Sequence, residues 1–318
     1  GGDSLGTASY EAIARPLGIL YLLILAVCPL LAWGKTDGRA FFKRARIPAL
    51  CAIALFALLM VYWAAHLLPA YETTLAKGDT ASLALLEAGP GWYYNGLAVF
   101  GLLVACLLFF NAAFMLVRNV RSPHKRGAAI GGSLAHLAMA VILIGLIGSN
   151  MYVTERSGYM GFDADSGQAT ESFSVQGYEL VYAGDSVADD SEASGKVGYQ
   201  VDFDVYKDGR MVGRIHPSIQ FDAMTQQQKL NAAVLSFPDE DLFVVYRGTN
   251  QEGSLSLDVR VNPLVSFVWA GFALLMAGML CALVLPRASR YSGKRAQPSG
   301  DASEAPDGSA EMQSDECD

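Results

Sequence analysis

A membrane-embedded α-helical bundle of about five spans, carrying a β-rich extracytoplasmic domain, is the fold class this sequence predicts. Three observations carry it. Five apolar runs contain no Asp, Glu, Lys or Arg; the loops between them alternate in charge; and one long acidic segment has the polar–apolar alternation of strands. The composition agrees, with 52% hydrophobic and only 17% charged residues, where a soluble domain carries about 25% charged.

The runs are 16–33, 47–69, 93–117, 128–149 and 263–285, each near or above the roughly 20 residues that a helix needs to cross a bilayer. The first is flanked by Arg15 and Lys35. It is too long for a signal-peptide core and no small-residue cleavage site follows it, so it reads as a spanning helix. The chain opens on Gly1 rather than Met, and sequence upstream of it is expected. Residues 1–149 are thus expected to hold four spanning helices and 263–285 the fifth.

Orientation follows from the connecting loops, because cytoplasmic loops retain Lys and Arg. Loop 34–46 carries Lys35, Arg39, Lys43, Arg44 and Arg46 against Asp37 alone, and loop 118–127 carries Arg118, Arg121, Lys125 and Arg126 against no acid. Between them, 70–92 holds Lys77 against Glu72, Asp79 and Glu87. The expected topology places the N-terminus and residues 150–262 outside and the C-terminus inside, in the plasma (inner) membrane.

Segment 150–262 carries 18 acidic and 8 basic residues, which suits a translocated domain and argues against nucleic acid as a partner. Its stretches 172–182 and 198–206 alternate, Lys207-Asp208-Gly209-Arg210 supplies an Asp-Gly turn, and 211–221 reads as the return strand. Stretches 242–246 and 254–261 add two more. Five or so strands suggest a small barrel or sandwich, with 184–196 as a mobile loop. The Ser-, Asp-, Glu- and Pro-rich tail 286–318 is expected to be disordered and cytoplasmic.

Cys28, Cys51, Cys106 and Cys281 lie inside the apolar runs and Cys317 in the tail, with no Cys-x-x-Cys. Dithiol redox chemistry or covalent haem attachment to this chain is therefore not expected. No phosphate loop or dinucleotide fingerprint is present, and the sequence assigns no catalytic residue.

The one ionisable side chain deep inside an apolar run is His136, and such a residue is a functional-site hypothesis. Gly132, Ser133, Met139 and Ala140 stand three or four positions away and share its helix face. Small neighbours suit close helix packing, and they equally leave room for a flat macrocycle. From these residues alone, ligation of a metal such as haem iron, a packing hydrogen bond and a proton path all remain open. The other histidines have plainer readings. His66 sits beside Tyr62 and Trp63 in an interfacial aromatic belt, His124 in a basic loop, and His216 at a strand end before Pro217. Asn95 and Asn111 suit hydrogen bonds to neighbouring helices.

Four motifs add a resemblance. Leu134-Ala135-His136 after paired glycines, Asp241-Leu242-Phe243-Val244, Asn262-Pro263-Leu264-Val265 followed by Phe267-Val268-Trp269, and Tyr10 through Pro16-Leu17 to Pro29-Leu30-Leu31-Ala32-Trp33 resemble, in order, the C-terminal half of the CcmF-type (CcmF/NrfE) cytochrome c haem lyase subunit. The Trp-rich haem-handling segment of that family and its further histidines belong to the N-terminal half and have no counterpart here. Its Pro-Glu-Lys-Arg stretch stands here as Pro217-Ser218-Ile219-Gln220 and its Thr-Glu as Thr225-Gln226.

The resemblance implies part of a lyase that joins haem, as substrate, to the thiols of an apocytochrome c on the outer face. It implies a resident haem b with His136 as one axial ligand of the haem iron, and the second ligand from the N-terminal half of the lyase or a separate subunit. Implied partners are that half, apocytochrome c, a haem-delivery chaperone and the lipid bilayer. The alternatives are a non-catalytic docking subunit and a transporter subunit; the latter would ordinarily need intramembrane carboxylates, which the runs lack.

Overall fold

Seven α-helices, a π-helical turn and twelve strands follow from these patterns in a computed structural model, which describes residues 7–31, 37–77, 80–121, 127–163, 168–169, 172–189, 196–222, 225, 227–251 and 253–284. Five of the helical segments are long and apolar enough to cross a membrane. The expected tail 286–318 and loop residue His124 lie outside the described residues.

Helix α1 (Thr7–Val27) begins well before its apolar run, because Glu11 and Arg15 pair one turn apart and extend the helix with a polar turn. A 3₁₀ turn, Cys28–Leu30, ends it. Helix α2 (Gly38–Tyr62) opens where the Asp37 carboxylate accepts the Arg39 N–H at 3.3 Å. It runs through a π-helical turn, Trp63–Leu67, into α3 (Leu68–Lys77). The helix therefore does not stop at Pro69: the widened turn just before it is a place where the hydrogen-bond ladder is already offset. With α4 (Thr80–Glu87), α3 makes most of the expected acidic loop helical.

Helices α5 (Gly91–Arg121), α6 (Ala128–Met151) and α7 (Val265–Val284) complete the bundle. Helices α6 and α7 meet along glycines. A Cβ on Gly131 would stand 2.5 Å from the Gly278 carbonyl oxygen, one on Gly145 2.6 Å from Val268, and one on Gly271 2.5 Å from Ile142. Lipid tails are as apolar as leucine, so close backbone approach supplies the packing energy that burial supplies in water. Polar side chains pin the other seams. Asn111 Nδ2 donates to the Ala26 carbonyl of α1 at 2.9 Å, and Asn119 Nδ2 donates to Ser133 Oγ of α6 at 2.8 Å.

The β-domain is inserted between α6 and α7. Strands β1 (Thr154–Met160), β12 (Leu255–Pro263), β11 (Glu240–Thr249) and β10 (Ala233–Ser236) form one antiparallel sheet in that order. Strands β4 (Phe173–Val175), β5 (Tyr178–Asp189), β6 (Lys196–Lys207), β8 (Ser218–Asp222) and β9 (Gln227–Asn231) form a second, with β7 (Arg210–Ile215) also on β6. A two-stranded ribbon, β2 (Phe162–Asp163) with β3 (Gln168–Ala169), stands apart. Leu180, Phe203 and Val205 of the second sheet meet Leu242, Val244, Leu257 and Val259 of the first in a single buried core.

Asp208 and Gly209 both have positive φ, 50° and 76°, which matches the right-handed twist of a tight hairpin. The return strand is broken at His216-Pro217, where the Pro217 carbonyl accepts the Val201 N–H at 3.0 Å. The expected loop at 184–196 is shorter: residues 184–189 pair with β6, after a bulge between Tyr182 and Gly184. Strand number is also more than twice that expected, because 172–182 divides into β4 and β5, 211–221 divides into β7 and β8, and β1, β2, β3, β9 and β10 are short or polar and do not alternate visibly.

Candidate functional site

His136 lies on the third turn of α6, half-buried, and its Nδ1 is 2.7 Å from the Gly132 carbonyl oxygen one turn earlier. A carbonyl only accepts, so Nδ1 carries the hydrogen. Nε2 of the neutral ring then holds a free lone pair, which is the arrangement found in metal-binding histidines whose other nitrogen donates to a backbone carbonyl.

Gly132, whose carbonyl accepts from the ring, stands at an open point of the helix surface. A Cβ built there meets nothing within 4 Å, in contrast to neighbouring Gly131, which is jammed against α7. Positions 132, 136, 139, 143, 146 and 150 follow one another at alternating spacings of four and three, a single stripe of α6. Its C-terminal part, Met139, Leu143, Leu146 and Asn150, lines a groove of about 440 Å³ against Gly18 and Leu22 of α1. The residues fit an iron porphyrin: a preset imidazole lone pair, open space at Gly132, and apolar side chains along the stripe.

The other two described histidines are not brought to this site. His66 is exposed on the π-helical turn with its ring 4.9 Å from that of Tyr62. His216 is in the β-domain with Nδ1 2.7 Å from Asp202. Partial burial would by itself raise the Asp202 carboxyl, but hydrogen bonds from His216 and Gln200 hold it below its ordinary value. No cluster of three His, Cys, Asp or Glu side chains suited to a metal occurs among the described residues.

A second arrangement escapes sequence reasoning. The Trp63 indole N–H donates to the Tyr152 hydroxyl at 2.8 Å, and that hydroxyl donates to Asn95 Oδ1 at 2.9 Å. The Tyr94 hydroxyl donates to the Met151 carbonyl at 2.6 Å, and the Tyr71 and Tyr94 rings stack at 5.4 Å. These residues belong to four helical elements and to the residue after α6, so only the fold unites them. Asn95, expected to bond a neighbouring helix, accepts instead from the α6–β1 junction.

No family profile matches the chain. Among curated proteins it is similar to the cytochrome c-type biogenesis protein CycK of Bradyrhizobium diazoefficiens, 24% identical over 88% of this chain and 38% of the relative. It is also similar to the cytochrome c-type biogenesis protein CcmF of Escherichia coli, 23% identical over 94% of this chain and 41% of the relative. The solved structure titled cytochrome c heme lyase CcmF superposes with a TM-score of 0.60 at 19% identity, covering 88% of this chain and 41% of that one. The chain thus spans about two fifths of the length of the relatives it matches. Over most of its length, the chain is similar in sequence and in fold to part of a CcmF-type protein.

Proposed function

We propose that this chain is the C-terminal part of a membrane-bound cytochrome c haem lyase, working in cytochrome c biogenesis at the outer face of the inner membrane. The observation that carries the proposal is the state of His136: Nδ1–H committed to the Gly132 carbonyl, Nε2 left free, and Gly132 itself at an open point of the helix surface. The relatives whose names concern cytochrome c biogenesis match nearly nine tenths of the chain, and that gives this histidine its context.

In this reading His136 would hold the iron of a resident haem b, with a second ligand supplied by the N-terminal half, encoded on the same or a separate chain. When bound, the group supplies one-electron chemistry within the membrane. The chain's own residues hold and orient it. Gly132 fixes the imidazole tautomer and ring direction, and the leucines of the stripe exclude water. Residues 150–262 lie on the outer face, where apocytochrome c and a haem-delivery chaperone would meet them; haem itself is the lyase substrate there.

The test is the optical spectrum of the chain purified together with its N-terminal half. A low-spin b-type spectrum is expected, and His136→Ala should abolish or sharply reduce it along with cytochrome c maturation, while the helices stay inserted. His66→Ala should retain the haem. A full and spectrally unchanged haem complement in assembled His136→Ala protein would refute the ligand assignment.

A further inference from the structure

At the opposite end of the bundle from the β-domain, the 3₁₀ turn after α1, the start of α2 and the last turns of α5 enclose a cavity of about 590 Å³. Three arginines line it: Arg44 of α2, and Arg118 and Arg121 of α5. Among the described residues none of the three forms an ion pair with an acid. Its walls are apolar, with Leu30, Ile47 and Phe114 contributed by three different membrane-spanning segments. Asn111, also on the wall, has its amide committed to the Ala26 carbonyl at 2.9 Å.

We infer that this cavity binds one anionic phospholipid, its phosphate among Arg44, Arg118 and Arg121 and an acyl chain along Ile47 and Phe114. Arginine forks match phosphate oxygens in a bidentate way, and basic recesses between spanning helices are suited to acidic head groups. The carbonyl end of α5 opposes an anion with only about half a unit of negative charge, which three full cations outweigh. The apolar walls belong to spanning segments, so the site opens towards acyl chains, and this favours a lipid over free phosphate. With no acid among the described residues that line the cavity, a zwitterionic head group gains nothing for its ammonium. Loop charge that merely sets topology would not require these arginines to share one apolar-walled recess.

The test is native mass spectrometry of the delipidated full chain, titrated with phosphatidylglycerol or with phosphatidylcholine. Phosphatidylglycerol should bind at least about tenfold more tightly, at roughly the contribution expected per basic residue near a membrane surface. The triple variant Arg44→Gln/Arg118→Gln/Arg121→Gln should lose that preference. The triple variant Arg39→Gln/Lys43→Gln/Arg46→Gln removes equal charge from α2 outside the arginine lining and should keep the preference within about twofold. Should the first triple variant fail to insert, Arg118→Gln alone should weaken phosphatidylglycerol binding by roughly three- to fivefold. Equal losses in both triple variants, an unweakened Arg118→Gln, or equal binding of phosphatidylcholine would overturn the inference. So would displacement of the lipid by millimolar inorganic phosphate, or its exclusion by a bound N-terminal half.

Discussion

The indole N–H of Trp63 donates to the hydroxyl of Tyr152 across 2.8 Å, joining the π-helical turn after α2 to the residue that follows α6. Tyr152 is 1% exposed and passes its own hydrogen to Asn95. Its hydroxyl thus serves two helices from the point where the chain leaves the membrane for the β-domain.

Removing that hydroxyl leaves a buried N–H and a carbonyl oxygen unsatisfied. Tyr152→Phe should destabilise the folded chain by about 1–2 kcal/mol, read as a lower midpoint of denaturant unfolding in detergent. Trp63→Phe should couple to it in a double-mutant cycle by about 0.5–1 kcal/mol. Additive effects would show that the bond does not contribute.

Adjacent glycines should behave differently. Gly131→Ala places a methyl against the Gly278 carbonyl and Ala282 and should separate α6 from α7, lowering thermal stability by about 1–3 kcal/mol. Gly132→Leu meets open space, so stability should stay within about 0.5 kcal/mol. On the proposed function, this second variant nevertheless crowds the His136 ring and should reduce haem absorbance. Loss of haem from a destabilised Gly132→Leu protein would fail this prediction.

Two buried aspartates of the β-domain should respond to pH with opposite signs. For Asp258, burial alone would raise the carboxyl, but the Arg247 hydrogen bond and the nearby Arg260 hold it below its ordinary value. Its contribution is therefore present above about pH 4, the unfolded value, and lost as pH falls through the lower folded pKa. Burial raises Asp241 despite hydrogen bonds from Ser236 and the Phe237 N–H, and its Oδ1 has no partner. Its contribution is present below about pH 4 and lost as pH rises through the higher folded pKa. Asp258→Asn should thus lower the melting temperature at pH 7 and change it little well below pH 4. Asp241→Asn should raise the melting temperature at pH 7 relative to its effect at pH 4. Matching pH trends for the two variants would contradict the assignment.

The proposed orientation predicts which engineered thiols are accessible. In a cysteine-free background, an impermeant reagent applied to intact cells should modify cysteines at Glu87 and Ser186 and spare those at Arg39 and Val120. Labelling at Arg39 without labelling at Glu87 would reverse the topology.

The five helices were legible because an uninterrupted apolar run of spanning length has few alternative folds, and His136 was conspicuous because the run around it is otherwise uncharged. The helix ends were less legible. Arg15 and Glu11 look like a stop signal until their pairing one turn apart is known, and Pro69 looks like a terminator until the π-helical turn before it is known. The Asp208-Gly209 hairpin was readable from its turn chemistry, whereas β9, with Gln227, Gln228 and Lys229 exposed, carries no alternation to read. At the site, the stripe through Gly132 and Met139 follows from helical spacing. The contrast between open Gly132 and jammed Gly131 does not, because it depends on where α7 lies.

Only two residues separate the end of α6 at Met151 from the start of β1 at Thr154, and Leu264 alone separates β12 from α7. Leu264 holds a positive φ of 60° while its N–H donates to the Asp239 carbonyl at 2.6 Å. Helices α6 and α7 pack on each other, and β1 and β12 pair over seven residues, so the four elements form one blade with no swivel at the water boundary. Torque applied to the sheet by anything that grips it is delivered to the glycine seam, and the sheet cannot turn without tilting the helix that bears His136.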